Sequence, residues 1–126
     1  MGLIGKDFTY KKIKNFLTED EVKLLSNYCE IRHRNNTKDF DESKEMGIPD
    51  SKFYGDPIIE ALMLKQLPLM EKETGIELLP TYAFWRCYTK FSSLANHTDR
   101  RSCEISVTLN INNDGTPWPI YIEEKP

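Results

Sequence analysis

Apolar residues recur with a helical period in the first half of the chain and with a strand period in the second half. A capping-box pattern, with Thr18 as the N-cap and Glu21 three residues later, precedes apolar positions at three- and four-residue spacing. This spacing predicts a helix over about residues 18–34. Residues 8–17 alternate loosely, which predicts a strand, and the polar stretch 35–53 has no period, which predicts a long surface loop.

A second helical segment has clear start and stop signals. Asp56 followed by Pro57 is typical of a helix start, and Gly75 is typical of a helix end. We therefore expect a helix over about 57–74, which Pro68 kinks or restarts because proline lacks an N–H donor. The side chains predicted to face the core are Ile58, Ile59, Leu62, Met63 and Leu67.

The remainder of the chain has the pattern of strands. Residues 81–89 are rich in aromatic side chains, and residues 103–111 alternate cleanly, with an apolar side chain at every second position. The sequence Asn-Asn-Asp-Gly at 112–115 signals a turn, so residues 118–122 are predicted to return as the second strand of a hairpin. Helices followed by antiparallel strands predict an α+β fold in which the helices pack on a sheet.

Composition supports one folded domain over residues 1–126. Leu, Ile, Val and Phe make up about a quarter of the chain, above the roughly 20% below which chains are disordered. The net charge of −3 gives no reason to expect nucleic acid, and no apolar run is long enough for a membrane span. Cys29, Cys87 and Cys103 are odd in number and far apart, which predicts reduced thiols in a cytoplasmic protein.

The sequence His97-Thr98-Asp99 contains one of the two histidines. Residues two apart in extended backbone point to the same side, so this imidazole and carboxylate are expected to converge. Imidazole and carboxylate are the ligand mixture of a non-haem Fe(II) facial triad, which takes a second histidine from elsewhere. The alternative is a surface strand end at which both groups face water. The other histidine, His33, is expected to be a cation near the negative end of the first helix dipole.

The residues around this pair resemble a known family. The segment from Tyr88 to Asp99 is similar to the strand YxxGxxLxxHxD of the prolyl hydroxylase-like branch of the 2-oxoglutarate- and Fe(II)-dependent oxygenases. Trp118-Pro119-Ile120 and the helical N-terminal half also resemble that branch. The resemblance covers about residues 56–123 and implies helices packed on a double-stranded β-helix (jelly-roll) sheet.

The resemblance also implies roles for single residues. It assigns His97 and Asp99 to the iron, and it assigns the Tyr88 hydroxyl to a carboxylate of 2-oxoglutarate. The alternative for Tyr88 is a half-buried strand aromatic without such a role. Phe91 stands where the family has glycine, which is expected to alter the loop before the ligands or the shape of the pocket.

Two groups that the family requires are absent from this sequence. No histidine follows Asp99 to complete the triad, and Lys125 is the only basic residue after Arg101 that could anchor 2-oxoglutarate. Only 27 residues follow Asp99, whereas the six further strands of a jelly roll need on the order of 55–70 residues. We therefore expect the N-terminal part of an oxygenase, with an incomplete sheet, weakly bound or absent Fe(II) and 2-oxoglutarate, and little or no activity.

An incomplete sheet also has consequences for assembly. Unpaired edges and an uncovered apolar face predict self-association through the open sheet edges. A second interpretation is a non-catalytic binding or assembly module derived from half of that fold. A zinc site formed by His97, Asp99 and Cys103 is a third, but it needs a fourth ligand that the spacing does not offer. The sequence does not identify a substrate, whether protein or small molecule.

Overall fold

The computed structural model describes residues 10–38, 48–90 and 92–122. These residues form two helices and one two-stranded antiparallel sheet. In chain order the elements are α1 (Glu19–Thr37), β1 (Ser51–Tyr54), α2 (Pro57–Thr74) and β2 (Phe84–Cys87). The architecture is therefore α+β, as the sequence predicts. In this part of the chain, neither helix is both long enough and apolar enough to cross a membrane.

Helix α1 begins where the capping box predicts. The Thr18 hydroxyl accepts a hydrogen bond from the backbone N–H of Glu21 (3.1 Å), and the Glu21 carboxylate accepts one from the N–H of Thr18 (2.9 Å). The helix continues to Thr37, three residues beyond its predicted end. The last turn is supported by local and tertiary bonds. The Thr37 hydroxyl donates to the carbonyl of His33 (3.1 Å), and other side chains of this turn reach β1.

The predicted loop over residues 35–53 is wrong at both ends, since α1 extends into its start and β1 begins at Ser51. Ser51 is polar but fully buried. Its hydroxyl oxygen lies 2.7 Å from Nδ1 of His33 and accepts a hydrogen bond from the Asn36 amide (2.8 Å). The ring of His33 therefore joins α1 to β1 in addition to lying near the helix end. Residues 39–47 of the predicted loop lie outside the described residues.

Helix α2 has the predicted boundaries. The Asp56 carboxylate caps the first turn by accepting from the N–H of Ile58 (3.2 Å). Gly75 ends the helix at φ 76°, a left-handed conformation that glycine adopts without steric strain, and its N–H donates to the carbonyl of Glu71 (2.8 Å). The helix runs without interruption through Pro68, so the predicted restart at this proline does not occur.

The apolar core of the described residues is small. Leu25 of α1 is the one hydrophobic residue there that is buried, with 4% exposed. Of the predicted core positions on α2, Ile58 is exposed and the other four are half-buried. Polar residues take the remaining buried positions, namely Ser51, Asp56 and Thr74. Much apolar surface is therefore exposed, and polar contacts connect the helices to the sheet.

The predicted strands are largely wrong. Of residues 81–89 only Phe84–Cys87 forms a strand, and residues 10–17, 103–111 and 118–122 form none; residues 8 and 9 lie outside the described part. An alternating pattern marks a segment that can form a strand, but its backbone groups need a partner strand for their hydrogen bonds. The described residues provide that partner once, for β1 and β2.

Candidate functional site

The segment that contains the predicted site residues starts where β2 ends. Its described residues between 88 and 102 have no helix or strand, and polar bonds fix its beginning. The Thr89 hydroxyl donates to the carbonyl of Ile48 (2.6 Å), and the Thr89 N–H donates to the hydroxyl of Ser92 (2.9 Å). The start of the segment is therefore tied to the residues that precede β1.

His97 and Asp99 are brought together on this segment. Nε2 of His97 lies 3.6 Å from Oδ1 of Asp99. On the other side of the ring, Nδ1 of His97 donates a hydrogen bond to the carbonyl of Ala95 (2.8 Å), which orients the ring and turns Nε2 toward the carboxylate. The side chains are 53% and 50% exposed, so the pair is open to water and to solutes.

The donor set of this pair suits a divalent cation. At ligand distances of about 2.1 Å, two neighbouring donors are about 3.0 Å apart around an octahedral ion and about 3.4 Å apart around a tetrahedral ion. The 3.6 Å between Nε2 of His97 and Oδ1 of Asp99 is slightly wider than either. A metal-bound imidazole also commonly donates its second N–H to a backbone carbonyl, as His97 does to Ala95.

Among the described residues, no third ligand lies beside the pair. Within residues 10–38, 48–90 and 92–122, no three His, Cys, Asp or Glu side chains are grouped closely enough to hold a metal ion. His97 and Asp99 therefore supply two ligand types of a facial triad, but the described residues bring no third ligand to them. The same finding removes the zinc site that would combine this pair with Cys103.

Tyr88, the predicted 2-oxoglutarate contact, lies at the beginning of the segment and is exposed. Its ring packs edge-on against the indole of Trp118, with ring centroids 4.4 Å apart. The guanidinium of Arg86 lies 4.4 Å from the centroid of the Tyr88 ring. An aromatic ring and a cation thus contact Tyr88, and Trp118 brings the C-terminal part of the described chain to the end of β2.

Arg86 is itself held by a carboxylate. Its Nε donates to Oδ2 of Asp50 (2.8 Å), and its Nη2 donates to the same oxygen. The Ser92 hydroxyl also donates to Oδ2 of Asp50 (3.2 Å). The hydrogen bond from Arg86 is the main cause that holds the pKa of Asp50 below its usual value. This network joins the residue before β1 to β2 and to the site segment.

Arg100, directly after Asp99, anchors the far end of the site segment. Its Nη1 donates to the hydroxyl of Tyr54 (2.9 Å), and its guanidinium lies 5.3 Å from the ring centroids of Tyr54 and Tyr82. These two rings stack with centroids 4.7 Å apart. The sequence gives no signal for this contact, because a cation–π pair 46 residues apart depends on the tertiary fold.

Cys103 lies beside the same tyrosine pair. A hydrogen bond with Tyr82 is the main cause that lowers the pKa of its thiol, and the Thr81 hydroxyl lies 3.9 Å from its sulfur. Burial raises the pKa of the other two cysteine thiols, and that of Cys29 reaches about 11. All three cysteines are free thiols in the structure.

The most highly connected polar group is Asp56, which the sequence identifies only as a helix cap. Its carboxylate accepts from the indole N–H of Trp85 (2.8 Å) and from the hydroxyl of Tyr28 (2.5 Å), and Nε of Arg32 lies 3.5 Å away. Burial raises the pKa of Asp56, but the hydrogen bonds from Trp85 and Tyr28 outweigh it, and the resulting pKa lies below the usual value. Because the carboxylate is buried and fully bonded, its role is to hold the fold together.

Comparisons of the chain with models of protein families, with curated proteins and with solved structures found no match. The resemblance to the oxygenases therefore stays a prediction from the residues between Tyr88 and Asp99 and their surroundings.

Proposed function

We propose that His97 and Asp99 are the HxD half of an iron site of the 2-oxoglutarate-dependent oxygenase type, in a chain related to the N-terminal part of the jelly roll. The observation that supports this proposal is the pairing of the two side chains, with Nε2 of His97 3.6 Å from the Asp99 carboxylate and Nδ1 bonded to Ala95. Tyr88, at the other end of the same segment, is proposed to contact a carboxylate of 2-oxoglutarate.

The chain alone is expected to have little or no oxygenase activity. In a complete site of this type, the bound iron with 2-oxoglutarate and O2 brings about hydroxylation of a C–H bond in the substrate. No histidine follows Asp99 in this sequence to complete the triad. Loss of an outer partner of a metal ligand alone reduces affinity by about 10–100-fold, and loss of a ligand reduces it by at least as much. We therefore expect weak binding of Fe(II), and we expect that turnover needs a further ligand.

Binding of Mn²⁺, a spectroscopic substitute for Fe(II), tests the metal pair directly. Electron paramagnetic resonance of free Mn²⁺ measures the dissociation constant of the full chain. We expect His97→Ala and Asp99→Asn each to weaken binding by at least about 10-fold. Glu104→Gln is the matched control, because Glu104 is an exposed carboxylate five residues further along the same part of the chain, and it should leave the dissociation constant unchanged.

Two results would contradict the proposal. The first is Mn²⁺ binding that neither His97→Ala nor Asp99→Asn weakens, and the second is an absence of binding at millimolar Mn²⁺. Release of succinate from 2-oxoglutarate is measured separately with Fe(II). Substantial iron-dependent release by this chain would refute the expectation that the site is incomplete.

A second candidate function is a non-catalytic assembly module, which the uncovered apolar surface favours. Trp118, Ile120, Tyr121 and Ile122 are more than half exposed, and exposed patches of this kind mark interaction surfaces. An assembly module has no need of the metal pair, so His97→Ala would leave association intact. Under the iron-site proposal, the same substitution weakens metal binding by at least about 10-fold.

A further inference from the structure

Six large apolar side chains are exposed between residues 107 and 122 of the described chain. They are Val107, Leu109, Trp118, Ile120, Tyr121 and Ile122, and they are between 36% and 85% exposed. At roughly 150–250 Å² for a large side chain, these six together expose on the order of 600 Å² to water. A stable interface of standard size buries about 800 Å² per partner, so their summed exposed area is comparable with one side of such an interface.

The sheet also has backbone N–H and C=O groups without partners in the described residues. The sheet has the order β1-β2, and neither strand pairs with a third strand in the described residues. Each strand of a two-stranded sheet has one unpaired backbone edge, so the outer edge of β2 is open in the described residues. An open edge pairs readily with another strand, and lysine residues commonly prevent this in natural sheets. Residues 103–122 contain no lysine or arginine.

Within one copy, residues 103–111 cannot add to β2 in the favoured antiparallel direction. The sulfur of Cys103 lies 3.9 Å from the hydroxyl of Thr81, so the segment starts beside the residues that precede β2. A strand that starts there and overlaps Phe84–Cys87 runs parallel to β2. Parallel pairing is slightly less stable and occurs almost only in sheets with both faces covered. In the structure no ladder joins the segment to β2.

We propose that residues 103–111 of one copy add as an antiparallel strand to the open edge of β2 of a second copy, and that the exchange is reciprocal. Both complementary elements, the open edge and the alternating segment, belong to the same chain. In two copies related by a two-fold axis, each copy therefore supplies the strand that pairs with the open edge of the other, as an isologous interface requires. The interface buries the alternate apolar side chains of 103–111 together with the exposed apolar side chains of residues 118–122. This inference deepens the assembly interpretation and does not rest on the metal pair.

Val107→Glu tests the proposed interface. Val107 is 48% exposed in the single copy, so the substitution leaves the fold of each chain intact. In the dimer it places a carboxylate without a partner in the interface, and we expect the dissociation constant to rise by at least about 100-fold. Thr108→Glu is the matched control, because the exposed Thr108 follows Val107 directly and would point to the opposite face of the added strand; its dissociation constant should stay near that of the unsubstituted chain.

Sedimentation equilibrium over a range of concentrations measures the dissociation constant of each variant. Isotope-filtered nuclear Overhauser spectra of a mixed labelled and unlabelled sample then identify contacts between copies. We expect contacts between residues 103–111 of one copy and Phe84–Cys87 of the other. A chain that is monomeric at millimolar concentration overturns the proposal, and so does a dimer that Val107→Glu leaves unchanged. Mn²⁺ binding by the Val107→Glu monomer should be unaltered, which separates this test from that of the iron site.

Discussion

At the scale of the residue, Glu21 shows how one half-buried carboxylate bonds to two elements. It caps α1 through the N–H of Thr18, and it pairs with Lys65 of α2. The hydrogen bond from Lys65, with those from Thr18, lowers the pKa of Glu21 from 4.5 to about 2. Because the folded-state pKa is depressed, the stabilisation from ionised Glu21 is complete above about pH 4.5 and is lost as the pH falls toward about 2.

We predict that Glu21→Gln lowers the midpoint of thermal unfolding by a few degrees at pH 7. The difference from the unsubstituted chain should shrink as the pH falls from about 4.5 and be small near pH 2, because Glu21 is then almost fully protonated in the unfolded state and about half protonated in the folded state. Circular dichroism at several pH values measures the midpoints. Glu19→Gln is the control, since Glu19 lies in the same first turn but does not pair with Lys65. An equal decrease in the unfolding midpoint for both variants would contradict the prediction, because it would show that any negative charge near the start of the helix has the same effect as the pair with Lys65.

At the scale of the elements, the buried carboxylate of Asp56 connects both helices and the sheet. It caps α2, accepts from Tyr28 of α1 and accepts from Trp85 of β2. Since the apolar core contains little besides Leu25, this polar connection carries an unusually large part of the tertiary organisation. Its loss leaves the Trp85 indole and the first turn of α2 without their acceptor.

Asp56→Ala is therefore expected to lower the free energy of unfolding by about 3 kcal/mol, which combines the loss of a helix cap with the loss of a buried charged acceptor. Urea unfolding followed by circular dichroism measures the change. Asp114→Ala removes a carboxylate from an exposed turn and should change the free energy by no more than about 0.5 kcal/mol. If the two variants lose the same amount, the network around Asp56 does not hold the elements together.

At the scale of the whole molecule, the balance of buried and exposed apolar groups distinguishes this chain from an ordinary globular monomer. The large hydrophobic residues that are exposed include Leu79 at 86% and Tyr121 at 85%. A surface of this kind binds hydrophobic dyes such as anilinonaphthalene sulfonate unless another chain covers it.

We predict that dye fluorescence per chain falls as the protein concentration rises through the dissociation constant of the proposed dimer. Covering of the exposed apolar side chains by a second copy is the physical reason. The Val107→Glu variant, which is expected to stay monomeric, should retain high fluorescence per chain over the same range. Fluorescence per chain that is independent of concentration in the unsubstituted protein would contradict the prediction.

Features that depend on a few neighbouring residues could be predicted from the sequence. The capping box at the start of α1 and the boundaries of α2 are such features. The turn signal at 112–115 is confirmed only locally, because the Asn113 side chain accepts from the N–H of Gly115 (3.0 Å) and Gly115 has φ 91°, whereas the predicted hairpin does not form. The convergence of His97 and Asp99 also follows from a spacing of two residues in extended backbone.

Features that need a distant partner could not be predicted in this way. β1 appears polar in sequence and becomes a strand because β2 pairs with it and α1 side chains bond to Ser51. Residues 103–111 have the better strand pattern but no partner within one copy. Local signals were thus enough to predict the starts of both helices, the end of α2 and the approach of His97 to Asp99. Which segments become strands and which polar groups are buried depends on tertiary contacts, because ladders and burial require residues far apart in the chain to meet.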